Sequence, residues 1–328
     1  MKKTFTLAIA LLMVTTMAFA GGNADASSDG TFTPTRDVTW TCTSSPGGGS
    51  DIFTQEIKES IRLNGFSDAN IVIDYVTDGG GEVGRLEVSR MTGPRADHTI
   101  LTFNSGDLMP MCLNTNNRIE NFKPLALMAS DNHFLCSGDM SKYHSFQEII
   151  DALARGERIV IAGSKGDDIE TYNALLKSLG VDETQLAYVT NDSTSSAITS
   201  LLGGHVDLVL GKQASCEQYI IAERMFPMVA LCEDRFTSDL LKDMPTITEF
   251  GYEACDVPNW RGIVAPKAMS EAAADYWAEC FRQVTETPEW DEYITRNGLV
   301  PMYMDRASTV QFMTEFQQSY LQSIGKDK

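Results

Sequence analysis

The sequence predicts an α/β protein with two domains, each a mostly parallel sheet flanked by helices. Short apolar runs typical of strands, such as Ile71 to Val76 and Arg158 to Ala162, alternate with amphipathic helical segments. The 328 residues are enough for two domains of ordinary size. Glycine-rich or polar loops follow several of the strands. In such sheets, ligands bind beyond the carboxyl ends of the strands.

The N-terminus predicts an exported protein. Lys2 and Lys3 precede a mostly apolar run from Phe5 to Met17, and Ala18-Phe19-Ala20 supplies a small-x-small cleavage pattern. We therefore expect residues 1–20 to be a cleaved signal peptide and 21–35 to be a disordered leader, rich in Gly, Ser, Asp and Thr. The mature protein is expected in the periplasm or another extracytoplasmic space.

The composition limits the classes of binding partner that we expect for this protein. The formal net charge of −19 argues against nucleic acid and anionic membranes as binding partners. None of the seven cysteines forms a C-x-x-C pair and the four histidines are scattered, so neither a metal site nor a cofactor is predicted. The cysteines are interpreted mainly as small buried apolar residues, although an oxidising compartment would favour one or more disulfides.

The first glycine-rich loop, Ser45 to Asp51, follows the predicted strand Asp37 to Cys42 and precedes a helix. Its glycines let backbone N–H groups converge, and the positive end of the helix lies at the same place, which favours an anion. The alternative is a turn that binds nothing. The candidate ligand-binding residues of this loop are Pro46, Gly48, Gly49, Ser50 and Asp51, of which Asp51 is also the expected N-cap of the helix.

Other strand ends supply further candidates. They are Asn104 and Ser105 after the third strand, Gly163, Ser164 and Lys165 in a second glycine loop, and Thr190, Asn191 and Ser193 after the strand that begins at Leu186. Asp207 and Arg261 complete the set of candidate ligand-binding residues. Arg261 and Lys165 are expected either to bind a ligand carboxylate or to form an interdomain salt bridge. Asp167 and Asp168 are expected to complement the helix dipole and point into solvent, or else to accept from a ligand ammonium group.

Six motifs occur in an order that resembles the solute-binding receptors of tripartite tricarboxylate transporters, the Bug-type periplasmic proteins. The motifs are Pro46-Gly47-Gly48-Gly49-Ser50-Asp51, Asp78-Gly79-Gly80-Gly81, Asp97-His98-Thr99-Ile100-Leu101, Leu202-Gly203-Gly204-His205-Val206-Asp207, Met244-Pro245-Thr246-Ile247-Thr248-Glu249-Phe250-Gly251, and Trp260-Arg261-Gly262-Ile263-Val264-Ala265-Pro266. The resemblance covers the chain from about Val38 to Pro301. The chain departs from the family pattern at Thr77-Asp78, after Val189, and at Asp167 and Asp168, which leaves the ligand's identity open.

The resemblance implies the two-domain type II periplasmic-binding-protein fold, with strands that cross between the domains. The expected division is 36–131 for the first part of domain 1, 132–257 for domain 2 and 258–328 for the second part of domain 1. The family also implies an organic carboxylate ligand, held largely by loop amides and partly through water, and a membrane permease as the downstream partner.

We therefore expect a monomeric receptor that closes on a small organic carboxylate, a di- or tricarboxylate or a related acid. A receptor for an amino acid or another anion, or a sensor that feeds a signalling partner, are the alternatives. Catalysis is not expected, because the sequence holds no Gly-x-Ser-x-Gly elbow, H-E-x-x-H motif, Walker lysine or dinucleotide fingerprint.

Overall fold

The computed structural model describes residues 32–257 and 259–326. The predicted signal peptide at 1–20 and most of the predicted leader lie outside these residues. In the described part, no helix combines the length and the apolar character that a membrane crossing requires.

Strands and helices alternate along the described chain, as the sequence predicts. The strands are β1 Val38–Cys42, β2 Ile71–Tyr75, β3 Thr99–Asn104, β4 Phe122–Asp131, β5 Phe134–Gly138, β6 Ile159–Gly163, β7 Leu186–Thr190, β8 Leu208–Gly211, β9 Met225–Ala230, β10 Asn259–Pro266 and β11 Val300–Met304. The α-helices are α1 Gly49–Asn64, α2 Glu82–Ser89, α3 Ser105–Asn114, α4 Phe146–Ala154, α5 Asp167–Leu179, α6 Thr194–Leu202, α7 Gln213–Ile221, α8 Glu271–Val284, α9 Pro288–Arg296 and α10 Arg306–Ser323. Short 3₁₀ helices span Gly93–His98, Ile119–Asn121 and Ile247–Phe250.

The strands form two sheets, which confirms the predicted α/β class. The first sheet has the order β11-β4-β10-β3-β1-β2 and the second has the order β7-β6-β8-β5-β9. β1 pairs in parallel with β2 and β3, and β6 pairs in parallel with β7 and β8. Antiparallel pairing occurs at the strands that flank the two connections between the sheets, which are β4, β5, β9 and β10, and also at β11. The predicted boundaries near residues 131 and 257 stay a prediction.

Two connections join the sheets in the described residues. The first is the short link between β4 and β5, which contains His133, and the second runs from the end of β9 to the start of β10 and contains Asp256. Where the two links leave and re-enter the first sheet, the start of β10 lies beside the end of β4, with Asn259 opposite Asp131. The connections therefore lie at the edges where the two sheets approach each other.

Each half has its own buried core. Trp40, Trp260 and Trp277 are fully buried on the side of the first sheet, and Phe134 and Phe146 on the side of the second. All seven cysteines are free thiols and six of them are buried, which agrees with their interpretation as small apolar residues. Burial raises the pKa of the Cys42, Cys216 and Cys280 thiols to about 12, so these groups are poor nucleophiles.

A candidate anion-binding cleft between the two sheets

A polar cleft lies between the two halves and has a volume of about 460 Å³, including the part that is open to solvent. It is bounded by the segments that follow β1, β3, β6, β7 and β8, together with the start of β10. Its lining residues are Thr43, Ser44, Gly49, Ser50, Asn104, Gly106, Asp107, Ser164, Lys165, Asp167, Asp192, Ser193, Thr194, Lys212, Asn259 and Arg261. We call this space the central cleft.

Helix N-termini converge on the central cleft. α1, α3, α5 and α6 all begin in its lining loops. The residues that precede α1 and α5 are Gly48 and Gly166, which have no side chain to cap the first turn. No side chain caps the first-turn N–H groups of these two helices, which leaves the groups available to an anion.

The first glycine loop contributes Gly49 and Ser50 to the central cleft. Asn104 Nδ2 donates to Ser50 Oγ at 2.9 Å, which ties the loop after β1 to the loop after β3. A Cβ atom on Gly49 would lie 2.6 Å from Arg261 Nη2, so only glycine leaves room for that guanidinium. Gly49 thus permits a close approach of backbone and cation at the wall of the cleft.

Asp51 has a different role from the one that the sequence predicts. The N-cap of α1 is Gly48, so the expectation that Asp51 caps the helix is wrong. Its buried carboxylate accepts from the Gly47 N–H at 2.7 Å and from the Tyr75 hydroxyl at 2.6 Å. These hydrogen bonds fix the loop, and Asp51 itself does not line the central cleft.

The loop after β3 is held by a reciprocal cap. Asn104 accepts from the Asp107 N–H at 3.1 Å, and Asp107 accepts from the Asn104 N–H at 3.2 Å. Asp107 also accepts from Thr43 Oγ1 at 2.6 Å and from Arg85 Nη1 at 2.7 Å. This arrangement leaves Asp107 fully engaged, although it lines the central cleft.

Lys165, in the second glycine loop, differs from Lys212 and Arg261, the other cationic side chains among the described lining residues. Those two pair with carboxylates, and Lys165 does not. Its Nζ is buried and, among the described residues, has no hydrogen-bond acceptor. Burial lowers its pKa, while Asp107 and exposed Asp192 act in the opposite direction. An unpaired buried ammonium group is costly unless a ligand supplies an acceptor.

Asp167 and Asp168 do not point into solvent, so that expectation is wrong. Both are buried, because the first turn of α5 packs against Lys212 and His133 from elsewhere in the chain. Lys212 Nζ lies 2.7 Å from Asp167 Oδ2 and also pairs with Asp168. His133 Nε2 lies 3.1 Å from Asp167 Oδ2 and 3.0 Å from Asp168 Oδ1.

The pKa shifts of this cluster follow from burial and pairing. Burial and Lys212 alone would lower the pKa of His133, but Asp256, Asp167 and Asp168 outweigh them and raise it well above 6.5. Burial would raise the pKa of Asp168, but Lys212 and His133 outweigh it and lower the pKa. The cluster is therefore a buried set of charges, with cationic Lys212 and His133 between three carboxylates.

The same cluster has the donor atoms of a metal site. Ligand atoms of His133, Asp167 and Asp168 lie within 4.8 Å of one another. Lys212 Nζ already lies against both carboxylates, in the place where a cation would bind. A metal ion would thus have to displace the lysine ammonium and the proton of His133, so these residues fit an ion-pair network better than a metal centre.

Arg261 lies at the base of the central cleft. It is buried and pairs with Asp131, which stands at the end of the neighbouring strand β4. The partner belongs to the same sheet, so the expected alternative of an interdomain salt bridge is wrong. Arg261 Nε and Asp131 Oδ1 have no hydrogen-bond partner among the described residues. The pair thus neutralises the charge of the guanidinium within the first sheet.

The structure brings together about half of the candidate residues. Gly49, Ser50, Asn104, Ser164, Lys165, Ser193 and Arg261 line the central cleft. The candidates outside its lining are Pro46, Gly48, Asp51, Ser105, Gly163, Thr190, Asn191 and Asp207. Several of these support the lining loops.

Three of the candidates outside the lining make hydrogen bonds that support the loops of the cleft. Ser105 Oγ donates to Asn259 Oδ1 at 3.0 Å, and Pro46 accepts from Ser195 Oγ at 3.2 Å across the two halves. Asn191 Nδ2 donates to the Val189 carbonyl at 3.1 Å within its own loop. Ser105, Pro46 and Asn191 thus position the loops without bordering the cleft.

Asp207 lies elsewhere. Its carboxylate accepts from the Val160 N–H at 2.9 Å where β6 and β8 begin, which is the edge of the sheet opposite the cleft. Its side chain therefore joins the starts of two strands. A ligand in the central cleft would be out of its reach.

Sequence reasoning did not select several lining residues. These are Thr43, Ser44, Gly106, Asp107, Asp192, Thr194, Lys212 and Asn259. Thr43 and Lys212 directly follow β1 and β8, so the rule that sites lie at carboxyl strand ends, applied to every strand, would have found them. No glycine signature marks Lys212.

Comparisons with known proteins agree with this architecture. The model of the tripartite tricarboxylate transporter family receptor matches residues 66–325. A UPF0065 protein of the tcbD-tcbE intergenic region of Pseudomonas sp. (strain P51) is 25% identical over 278 residues, which are 81% of this chain and 79% of that protein.

Two solved structures share the fold. The periplasmic binding protein BugD has a TM-score of 0.78 at 20% identity, with coverage of 90% of this chain and 98% of that one. MatC of Rhodopseudomonas palustris, solved with bound malate, has a TM-score of 0.75 at 19% identity, with coverage of 88% and 98%.

Proposed function

Since the chain belongs to the tripartite tricarboxylate transporter receptor family, we propose that it captures a small organic carboxylate in the central cleft and delivers it to membrane permease subunits. As a solute-binding receptor of this family, it is not an enzyme. The observation that carries the carboxylate assignment is Lys165, whose buried Nζ lacks an acceptor among the described residues. A ligand carboxylate would supply that acceptor.

The charges of the central cleft support a ligand of low negative charge. Arg261 already faces Asp131, and Lys212 already faces Asp167 and Asp168. Among the described lining residues, Lys165 is the cation without a paired carboxylate. Hydroxyl and amide groups of Ser50, Asn104, Ser164, Ser193 and Thr194 provide neutral hydrogen-bonding partners around it. The cleft thus suits one carboxylate together with polar groups.

Contacts between the halves support a mechanism of closure around the ligand. Gly106, at the start of α3, approaches Gly166 and Asp167 at the start of α5 so closely that a Cβ on either glycine would overlap the opposite side. Ser195 reaches Pro46 across the same gap. A ligand that contacts both halves would favour this closed arrangement over an open one.

The amino-acid alternative loses its expected acceptors. Asp167 and Asp168 are buried and already neutralised by Lys212 and His133, so neither is available to an incoming ammonium group without breaking those pairs. Asp192 is an exposed carboxylate at the cleft. Its negative charge acts on nearby Lys165 and partly offsets the lowering of that lysine's pKa by burial, so Asp192 already interacts with a cation. The carboxylate proposal therefore fits these charges better.

The proposal includes export of the protein from the cytoplasm and transport of its ligand. Membership of a periplasmic receptor family and the predicted signal peptide at 1–20 favour an extracytoplasmic location. The permease remains a proposed partner that follows from the family.

A thermal-shift screen of the protein without residues 1–20 tests the proposed ligand class. Organic acids, amino acids and inorganic anions are added separately, and a ligand at about 100 times its Kd should stabilise the folded state by about 2.7 kcal/mol. A rise in Tm with organic acids alone is the expected result. A rise with amino acids or inorganic anions alone would contradict the carboxylate assignment. If no compound raises Tm, mass spectrometry of the denatured protein should release a co-purified organic acid, and its absence would also contradict it.

A further inference from the structure

A second cavity lies next to the central cleft and differs from it in chemistry. It has a volume of about 750 Å³, including the part open to solvent, and most of the surface that it exposes is apolar. Met109, Pro110, Leu113 and Ile169 provide aliphatic walls, and Tyr320 adds an aromatic ring. We call this space the side cavity.

Both halves of the protein build the side cavity. α3 and α10 contribute walls from the side of the first sheet, and α5 contributes Ile169 and Glu170 from the side of the second. The Tyr320 hydroxyl donates to Glu170 Oε1 at 3.0 Å across this gap. A group that fills the side cavity would therefore touch the same two halves that meet at the central cleft.

Lys165 borders both spaces. It lines the central cleft and the side cavity, and its Nζ is the buried ammonium group without an acceptor among the described residues. The glycine beside it, Gly80, also lines the side cavity, and a Cβ there would lie 3.2 Å from Lys165 Cδ. A carboxylate bound to Lys165 therefore has polar groups on one side and apolar walls on the other.

The charges of the side cavity exclude a second ligand carboxylate. Glu82 and Glu170 both line it, and Arg85, which also lines it, is already paired with Glu82 at 2.9 Å and with Asp107 at 2.7 Å. Glu82 Oε1 has no hydrogen-bond partner in the described part of the chain. A further carboxylate there would be repelled, whereas an apolar group, or one that carries a hydroxyl donor, would not.

We propose that the ligand is a monocarboxylate with an apolar body, whose carboxylate pairs with Lys165 and whose body lies in the side cavity. This inference rests on the proposed function and narrows its substrate class. It differs from the di- or tricarboxylate that the sequence suggests, because Lys165 is the one cation without a paired carboxylate among the described residues that line the two spaces, and an apolar volume lies beside it. Medium-chain aliphatic acids and aromatic acids meet both conditions.

Calorimetric titration with a homologous series of straight-chain acids tests this inference. Propionate, butyrate, pentanoate and hexanoate carry the same charge and differ by one methylene group each. Burial of one methylene is worth about 0.8 kcal/mol, so Kd should fall by about fourfold with each step. Succinate and citrate should bind more weakly than hexanoate.

Two variants locate the apolar body. Ile169→Trp and Leu113→Trp should fill the side cavity and weaken hexanoate binding at least tenfold while they leave propionate within twofold. Leu113 is 43% exposed, so its replacement is expected to fold even if the other variant does not. Ile150→Trp is the matched control, because Ile150 is a half-buried helical isoleucine that lines a separate surface recess.

The outcomes separate the two proposals. A Kd that does not depend on chain length, or tryptophan variants that bind hexanoate as tightly as the unaltered protein, would overturn the side-cavity inference. If succinate or citrate then binds, the proposed carboxylate receptor stands. If no carboxylate binds to protein that has been unfolded and refolded to remove co-purified ligand, both proposals are overturned.

Discussion

His133 and Asp256 join the two connections between the sheets, with His133 Nδ1 2.5 Å from Asp256 Oδ1. The other ring nitrogen, Nε2, reaches Asp167 and Asp168 at the start of α5. Asp167 lines the central cleft, so one imidazole ring links both connections to the wall of that cleft. Because the ring is fully buried, its charge is stabilised by these carboxylates and not by water.

Replacement of His133 by glutamine should destabilise the protein strongly. The variant leaves three carboxylates near Lys212 alone, and loss of one partner from a buried ionic cluster costs about 3–5 kcal/mol. Urea unfolding at pH 6 measures the difference. His144→Gln is the control, because His144 is exposed and its replacement should change stability by less than about 0.5 kcal/mol. Equal stabilities of the two variants would contradict the structural role of His133.

The contribution of His133 should decrease as pH rises. Its pKa in the folded protein lies well above 6.5, because Asp256, Asp167 and Asp168 outweigh burial and Lys212. The folded state therefore binds a proton more tightly than the unfolded state, and the stabilisation is complete below about pH 6.5. It is lost as pH rises through the raised pKa. The difference between unaltered protein and His133→Gln should thus shrink in alkaline buffer; a difference that grows with pH would reverse the assigned sign.

Replacement of Lys165 by glutamine should weaken carboxylate binding without loss of stability. A hydrogen bond to a charged group is worth about 1.5–3 kcal/mol, which corresponds to an affinity loss of about 10-fold to 150-fold. The ligand-free variant should be at least as stable as the unaltered protein, because a buried ammonium without an acceptor is removed. Calorimetry and thermal unfolding measure the two effects. Lys177→Gln carries the same charge change at an exposed position of α5 and should alter neither.

Lys212 should be essential for stability. Lys212→Met removes the ammonium group that pairs with both Asp167 and Asp168, and we expect a loss of about 3–5 kcal/mol. Asp168→Asn in the same chain should recover part of this loss, since one excess negative charge is removed. A double-mutant cycle by urea unfolding measures the coupling. Lys242→Met breaks an exposed pair with Asp239 and should leave the stability almost unchanged. Additive effects of Lys212→Met and Asp168→Asn would refute the pairing.

Gly106→Val should prevent the two halves from meeting. Its side chain would occupy the space that Asp167 and Gly166 take on the opposite side. The variant should fold, because Gly106 is half-buried at the start of α3 and because Asp167 and Gly166 would move away from it in the proposed open state. Small-angle X-ray scattering with saturating ligand should then give a larger radius of gyration than for the unaltered protein. An unchanged radius would contradict closure at this contact.

The sequence predicts the fold and the loops of the cleft because both depend on local patterns. Strand, loop and helix follow one another in the segments that hold Ser50 and Lys165, and a parallel sheet brings such loops to one edge. Three helices, α3, α7 and α9, are not among the elements that the sequence predicts. Pro110 lies inside α3, where proline is normally a signal for a turn. Pro288 is the first residue of α9, a position that favours proline, so the start of that helix is encoded in the sequence.

The charge pairs of the cleft could not be predicted in the same way. Lys212 and Asp168 are 44 positions apart in the chain, and His133 and Asp256 are 123 apart. No short motif encodes such pairs, so Asp168 was expected in solvent. The sequence also contains no pattern that would predict an unpaired Lys165. Whether Lys165 has a partner depends on which cations the carboxylates from distant parts of the chain have already neutralised.

The central claim is that the cleft recognises the charge of a carboxylate. The most direct test is a calorimetric comparison of hexanoate with hexanamide, which have the same carbon chain and differ in charge. We predict that the acid binds at least tenfold more tightly than the amide and that this preference disappears in Lys165→Gln. If the amide binds as tightly as the acid to the unaltered protein, Lys165 does not recognise a ligand carboxylate, and the proposed carboxylate recognition is wrong.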